Sequence, residues 1–226
     1  MTIAAELESV ALTLADTARE LYQRGWMEGT AGNLSARLPG SGGLALITAS
    51  GRSKGRLDPA DVVEVDIATG QSVSSHAPRP SAETAIHTAL YRLFPDCGAV
   101  AHAHPPYATV AASHAVRQRP GNGHVIVELR YRDFEIIKGF GSSDPHQVVV
   151  PVFPNWPDVT RIGRDVEHHF HTRAAGFPSV LLIAYHGATA WGPTLEIARN
   201  RLECLESLCR LDLINIQTTP PAKETP

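Results

Sequence analysis

The chain has little of what marks several protein classes. Its 226 residues include only three cysteines, Cys97, Cys204 and Cys209, with no C-x-x-C pair. An odd, scattered set argues against a disulfide framework and against a thiolate zinc site. Reduced thiols in a cytoplasmic protein are the simplest account. Net charge is only −3, so no polyanion such as nucleic acid is expected as a partner. Long apolar runs are also missing. The N-terminal stretch is apolar at helical spacing, but Glu6, Glu8, Asp16, Arg19 and Glu20 interrupt it. It does not read as a signal peptide, and no run approaches the roughly 18 apolar residues of a membrane span. Internal repeats and a convincing linker are absent.

What remains is a composition of 43% hydrophobic and 19% charged residues, which fits a globular domain with room for a sizeable core. The one enriched residue type that can carry chemistry is histidine, with 11 copies.

Periodicity organises the chain. Leu7, Val10, Ala11, Leu14, Ala18 and Leu21 recur at three- and four-residue steps, and Gly25 sits where the helix should end. Residues 44–49 and 62–67 read as strands between turn-rich segments. RPSAETAIHTALYRLF (79–94) reads as a helix with Ser81 as N-cap and Glu83 in the first turn. A strand over 98–104 leads to a helix from Pro106, and 115–123 reads as an exposed loop. HVIVELRY and QVVVPVF are further strands, and a helix follows that ends at Gly176. SVLLIAY is a buried strand running into His186 and Gly187. The last helix spans Pro193 to about Ile214. The expected architecture is α/β: one domain over 1–215, with a central mixed sheet flanked by helices in three layers. Residues 216–226 are expected to form a disordered, Pro-rich tail.

The stretch AVAHAHPPYATV (99–110) places two histidines where an apolar run ends. In a strand, residues i and i+2 share a face, so His102 and His104 project in parallel. They are either polar residues at a strand end or two ligands of one metal. His186 is the candidate third ligand, because it ends another strand and Gly187 permits a sharp turn after it. Three neutral imidazoles with one open position describe a catalytic zinc-type site. The other histidines lack such a setting. His168, His169 and His171 read as a solvated helix surface, and His76, His87, His114, His124 and His146 have no partner by spacing. Glu83, one helical turn before His87, is either a first-turn residue favouring the helix dipole or a carboxylate near the metal.

Three turns rich in small and hydroxyl residues complete the set: GTAGNLS (29–35), ITASGRSKGRL (47–57) and RPSAE (79–83). None matches a P-loop or a dinucleotide fingerprint. Their backbone N–H groups can surround an anion, and Lys54 and Arg56 add positive charge. Each alone reads as an ordinary loop, whereas together they can converge on one phosphate.

The ordered series GTAGNLS, ITASG, PSAE, HAH and HG resembles the class II aldolase/adducin-like family over residues 5–215. The resemblance implies one divalent ion per chain, most simply Zn2+, on His102, His104 and His186. It implies a sugar-phosphate substrate held by Thr30, Gly32, Asn33, Ser50, Gly51, Lys54 and Ser81, with Glu83 beside the metal. Four stretches (ASGRSKGRL, RPSAETAIHTALY, FEIIKGF and YHGATAWG) resemble the methylthioribulose-1-phosphate dehydratase branch, while HAHPPYATV and 115–123 depart from it. That likeness implies a lyase of methionine salvage with Glu135 as acid/base residue, acting on 5-methylthioribulose 1-phosphate. The wider family resemblance implies a homo-oligomer, a tetramer with sites at subunit borders, while the thiols point to the cytoplasm and the lack of apolar runs to no membrane partner. Sugar-phosphate aldolase or 4-epimerase activity on the same scaffold is the alternative. A non-catalytic adducin-like interaction module is the alternative of another class.

Overall fold

Strand alternation and helical periodicity sort the chain as its pattern suggests. The computed structural model describes residues 3–38, 40–118, 124–141, 146–172 and 178–218. The helices are α1 (Ile3–Gln23), α2 (Thr84–Leu93), α3 (Pro106–Arg117), α4 (Val159–His171) and α5 (Leu195–Thr218). The first strands are β1 (Asn33–Arg37), β2 (Leu44–Thr48), β3 (Val62–Asp66) and β4 (Ala99–Ala103). The remaining strands are β5 (Val127–Tyr131), β6 (Val148–Phe153), β7 (Val180–Ile183) and β8 (Gly187–Gly192). They form one sheet in the order β3-β2-β1-β4-β8-β7-β6-β5. Only β6 and β7 pair in parallel, joined by the α4 crossover, and the other neighbours are antiparallel.

Both faces of this sheet are covered, giving three layers. α1, α3 and α5 pack on one face, where Ala99, Ala101, Ala103, Leu34 and Val150 meet Leu14, Ala112 and Leu205. α2 and α4 pack on the other, where Val100, Ile47 and Leu181 meet Ile86, Leu90 and Ile162. The period of two sets what faces what. On β4 the alanines turn toward α1 and α5, so Val100 and His102 turn toward α2. On β1 Leu34 faces α1, so Asn33 and Ser35 also turn toward α2.

Strand direction then decides which turns meet. β2, β4 and β7 run the same way, and β1 and β8 run against them. One end of the sheet therefore gathers the turn before β1, the turn after β2, the end of β4 and the β7–β8 connection. β5 is the far edge strand and runs opposite to β4, so the 3-10 turn Glu135–Phe140 that follows it lies at the other end. That turn packs on α5, with Gly139 against Cys204.

Two strands and several boundaries differ from expectation: β1 takes Asn33, Leu34 and Ser35 from the expected GTAGNLS turn because they pair with β2 and β4, and β8 forms after His186, where no strand is expected, by pairing with β4 and β7. α2 starts at Thr84, and Glu83 occupies its N-cap position. Ser81 lies one turn earlier, where its Oγ accepts the Glu83 N–H at 3.2 Å and its carbonyl accepts the Thr84 N–H. α3 continues through Arg117 and takes the first part of the expected 115–123 loop, while 119–123 lie outside the described residues. α4 is helical to His171, and the expected end at Gly176 lies outside the described residues. The last helix starts at Leu195 because Thr194 Oγ1 accepts the Ile197 N–H at 3.2 Å, an N-cap contact. It reaches Thr218, so the first residues assigned to the tail are helical and 219–226 lie outside the described residues. Among the described residues, no helix is long and apolar enough to cross a membrane.

Candidate metal centre

The shared end of the sheet brings His102, His104 and His186 together. Each offers one ligand atom, and these atoms lie within 4.8 Å of one another. His102 is buried on β4, and its Nε2 stands 3.1 Å from His104 Nε2. The other His102 nitrogen, Nδ1, meets the buried Thr189 Oγ1 of β8 at 2.9 Å. A hydroxyl there holds the ring orientation and leaves Nε2 to face inward. His104 has just left the strand, and its backbone N–H donates to the Trp26 carbonyl at 2.8 Å.

His186 arrives from the β7–β8 connection. Tyr185 before it has φ 58, a left-handed conformation costly for a non-glycine residue, and Ser113 Oγ accepts its N–H at 3.0 Å. Gly187 after it leaves no room for a side chain: a Cβ would sit 2.4 Å from the Ala103 carbonyl and 2.9 Å from the His104 ring. The close approach of β8 to β4, as much as the turn, therefore demands glycine here.

Glu83 faces all of this from the N-cap of α2. Its Oε2 is 3.2 Å from His102 Nε2, and its Oε1 is 3.1 Å from His186 Nε2. Asn33 Nδ2 donates to Oε2 at 2.5 Å. Burial pushes the carboxyl up, but the His102 and His186 imidazoles and the Asn33 amide outweigh it and hold the group well below the usual range. Burial drives His102 far below the ordinary imidazole value and, with His186 beside it, lowers His104 to about 4. Both rings are neutral at neutral pH, the form that ligates metal.

The donor set fits a divalent ion. Three imidazoles converge, and two buried polar atoms among them, Glu83 Oε1 (in ion-pair range of His186 Nε2 but not hydrogen-bonded to it) and His186 Nδ1, make no hydrogen bond among the described residues. Buried polar atoms without partners are rare enough to require an explanation, and a cation at the cluster supplies one for the carboxylate.

The three small-residue turns lie side by side at this end. Lys54 is buried, and its Nζ donates to the Thr30 carbonyl at 2.8 Å and the Arg52 carbonyl at 3.0 Å, tying the first turn to the second. Burial lowers its pKa to about 8, with Glu83 opposing. The second and third turns join through the Ser50 N–H to the Arg79 carbonyl at 2.9 Å and the Ala49–Pro80 bridge. Thr30, Ser50 and Gly51 are exposed and Ser81 is half-buried. Gly32 (φ +73) is packed so tightly that a Cβ would meet the Met27 side chain at 2.7 Å and the His102 carbonyl at 3.0 Å. Asn33 is buried and spends both ends of its amide on protein partners, Glu83 and His87.

Glu135 is not brought to this cluster within the chain. Its side chain is 80% exposed at the opposite end of the sheet, where it pairs with Lys138 at 2.8 Å. His169 is not the surface residue expected of its helix either: it is buried against Phe153 and Phe170, because α4 lies flat on the sheet. Sequence reasoning missed His87, Ser35, Tyr91 and Thr189. The first three carried a signal. His87 and Tyr91 follow Glu83 at four-residue steps, and Ser35 follows Asn33 at a two-residue step, each on the face its element buries.

Comparison with known proteins agrees with this fold. The family model described as Class II Aldolase and Adducin N-terminal domain matches residues 12–213. A methylthioribulose-1-phosphate dehydratase of Microcystis aeruginosa is 40% identical over 212 residues, covering 92% of this chain and 97% of that protein. A Nocardia farcinica protein, named probable bifunctional methylthioribose-1-phosphate isomerase/methylthioribulose-1-phosphate dehydratase, is 49% identical over 200 residues. That match covers 88% of this chain but only 34% of the longer protein. The crystal structure of YgbL from Escherichia coli superposes with a TM-score of 0.72 at 31% identity, covering 92% of this chain and 90% of that one. This chain belongs to the class II aldolase and adducin N-terminal domain family and resembles its methylthioribulose-1-phosphate dehydratases.

Proposed function

We propose that this chain is a cytoplasmic, metal-dependent dehydratase that converts 5-methylthioribulose 1-phosphate to 2,3-diketo-5-methylthiopentyl 1-phosphate and water in methionine salvage. The family and the histidine cluster support, at the coarser level, a metal-dependent reaction of the aldolase or dehydratase type on a sugar phosphate. The observation that carries the finer reading is the likeness to methylthioribulose-1-phosphate dehydratases over nearly the whole length of both chains.

In this reading His102, His104 and His186 hold one zinc ion with neutral imidazoles. When bound, the ion supplies a Lewis acid for the ketone and neighbouring hydroxyl oxygens of the sugar. Glu83 is the second catalytic carboxylate, standing beside the imidazoles where it would face the ion and the reacting end of the sugar. Thr30, Ser50, Gly51 and Ser81 grip the phosphate through hydroxyl and N–H groups, and Gly32, Asn33 and Lys54 hold those turns from behind. Anchoring the non-reacting end fixes the sugar for reaction.

The chemistry removes the proton on carbon 3, alpha to the ketone, and expels the hydroxyl on carbon 4 as water. The enol left behind becomes the diketone, so the balance is the loss of one water. Glu135 shuttles the proton to the departing hydroxyl. Because it lies at the far end of its own sheet, it serves the site of a neighbouring copy in a homo-oligomer, a tetramer by family resemblance.

The test is an assay of the zinc-loaded protein on methylthioribulose 1-phosphate, fuculose 1-phosphate and ribulose phosphate. Formation of the diketone from the first alone is expected. Aldol cleavage or epimerisation of the others, without diketone, moves the assignment to the aldolase or epimerase reading. Inertness toward all three favours the interaction module.

A further inference from the structure

Behind Glu83 a line of buried polar groups runs between α2 and β1. Asn33 Oδ1 meets His87 Nε2 at 2.6 Å, and His87 Nδ1 meets Ser35 Oγ at 2.7 Å. Ser35 Oγ meets Tyr91 Oη at 2.7 Å. The Arg37 guanidinium closes the line, lying 5.0 Å from the Tyr91 ring centre and donating to the Tyr91 carbonyl at 2.7 Å. Asn33, Ser35, His87 and Tyr91 are each at most 3% exposed. The line is a product of two periods. Glu83, His87 and Tyr91 recur at helical steps of four, and Asn33, Ser35 and Arg37 recur at strand steps of two.

Each bond in the line has only one consistent direction. Asn33 turns its Nδ2 to Glu83 Oε2 at 2.5 Å, which leaves its Oδ1 for His87. A carbonyl oxygen only accepts, so His87 Nε2 must carry the proton. In the neutral ring Nδ1 then accepts, and the Ser35 hydroxyl must donate to it. With its hydrogen spent, Ser35 Oγ accepts from the Tyr91 hydroxyl. Burial lowers the His87 pKa to about 4, with Glu83 opposing, so the ring is neutral near pH 7. Burial also pushes the Tyr91 phenol well above its ordinary value, so it keeps its proton to donate.

We propose that His87 is a positioning residue that acts through Asn33: held as the Nε2–H tautomer between Asn33 Oδ1 and the Ser35–Tyr91 hydroxyl pair, its ring pins the Asn33 amide and so holds the Glu83 carboxylate toward His102 and His186. The relay is a one-way series of hydrogen bonds, and reversing any member turns an acceptor toward an acceptor. Only the kinetic arm of its test rests on the dehydratase reading. The tautomer and metal arms do not use a substrate.

The test uses the full chain with 15N-labelled histidine at pH 7.5. Its NMR spectrum should show His87 as the Nε2–H tautomer, and Ser35→Ala should keep it, because Asn33 Oδ1 still accepts from Nε2. Zinc affinity, measured against a chelator, should fall about 10- to 100-fold in His87→Leu, the range for partners that orient a metal site from outside it. His87→Gln should restore most of that affinity, since its amide N–H can reach Asn33 Oδ1. On a turned-over substrate, kcat should follow the same order while KM changes less than about threefold. An Nδ1–H or doubly protonated ring in the wild-type chain overturns the proposal. So does a His87→Gln variant as impaired in zinc binding as His87→Leu. If either variant fails to fold, the wild-type tautomer and the Ser35→Ala spectrum still decide. Absence of turnover by the wild-type chain on the methylthio sugar, with the tautomer and zinc results intact, refutes only the substrate.

Discussion

At one end of the sheet, His102, Glu83 and Lys54 are buried, and each polar contact limits the next. At the other end, Glu135 stands 80% exposed with Lys138 beside it. The contrast separates what one chain can prepare from what it leaves to its surroundings. Neutral imidazoles need a site shielded from water, and the covered sheet interior supplies that, while the neighbouring histidines and the Asn33 amide keep the Glu83 pKa low against the same burial. A carboxylate on an exposed 3-10 turn gains such shielding only when another surface covers it.

Breaking the buried end should have the largest effect. His102→Ala is expected to release the metal and abolish turnover, because it removes a ligand whose ring is held by Thr189. Elemental analysis checks this, and a full metal complement in the variant refutes the ligand assignment. Breaking the exposed end comes next. Glu135→Gln should keep metal and fold while turnover falls about 10²–10⁴-fold. The comparison sharpens when His102→Ala and Glu135→Gln chains are reassembled together. Mixed oligomers should regain activity, since some sites then pair intact histidines with an intact Glu135. Assemblies shown to be mixed, yet still inactive, would mean that the two ends do not meet across copies.

A third experiment reads the buried end through stability. His87 has a pKa of about 4 in the fold against 6.5 unperturbed. Between those values the unfolded chain binds more protons, so stability rises with pH across that window. The His87 contribution is complete above about pH 6.5 and declines as pH falls toward about 4. Thermal melts of the metal-free chain should show a shallower decline in His87→Gln, and identical slopes count against a buried neutral ring. The smallest effect belongs to Lys138→Ala. An exposed ion pair contributes no more than about 1 kcal/mol, so the melting curve should hardly move.

Much of the site is legible in the amino-acid order. The spacing of His102 and His104 announces a common face, the glycine after His186 marks it, and composition picks out the three turns. Much of the fold is legible as well: periodicity marks the five helices and six of the eight described strands, while β1, whose first residues read as part of the GTAGNLS turn, and β8 carry no such mark. The pattern misleads where local preference meets tertiary demand. Ser81 is a good N-cap residue, yet α2 begins after Glu83 because the turn must place the carboxylate against His186. His169 lies among polar neighbours in sequence, yet packing of α4 on Phe153 buries it.

The polar line behind Glu83 shows where sequence stops. Its two halves are periodic: Glu83, His87 and Tyr91 run from the N-cap along a helix, and Asn33, Ser35 and Arg37 alternate on a strand whose start reads as a turn in the sequence. By itself the sequence determined which residues share a face, because backbone geometry repeats every 3.6 or 2 residues whatever the surroundings. Only the tertiary structure decided which face meets which. Strand order and direction, products of long-range pairing, put the helix over β1 and set Glu135 at the far end of the sheet. The same packing excludes water from the line between α2 and β1. A hydrogen bond's direction there, and a histidine's charge, follow from that exclusion.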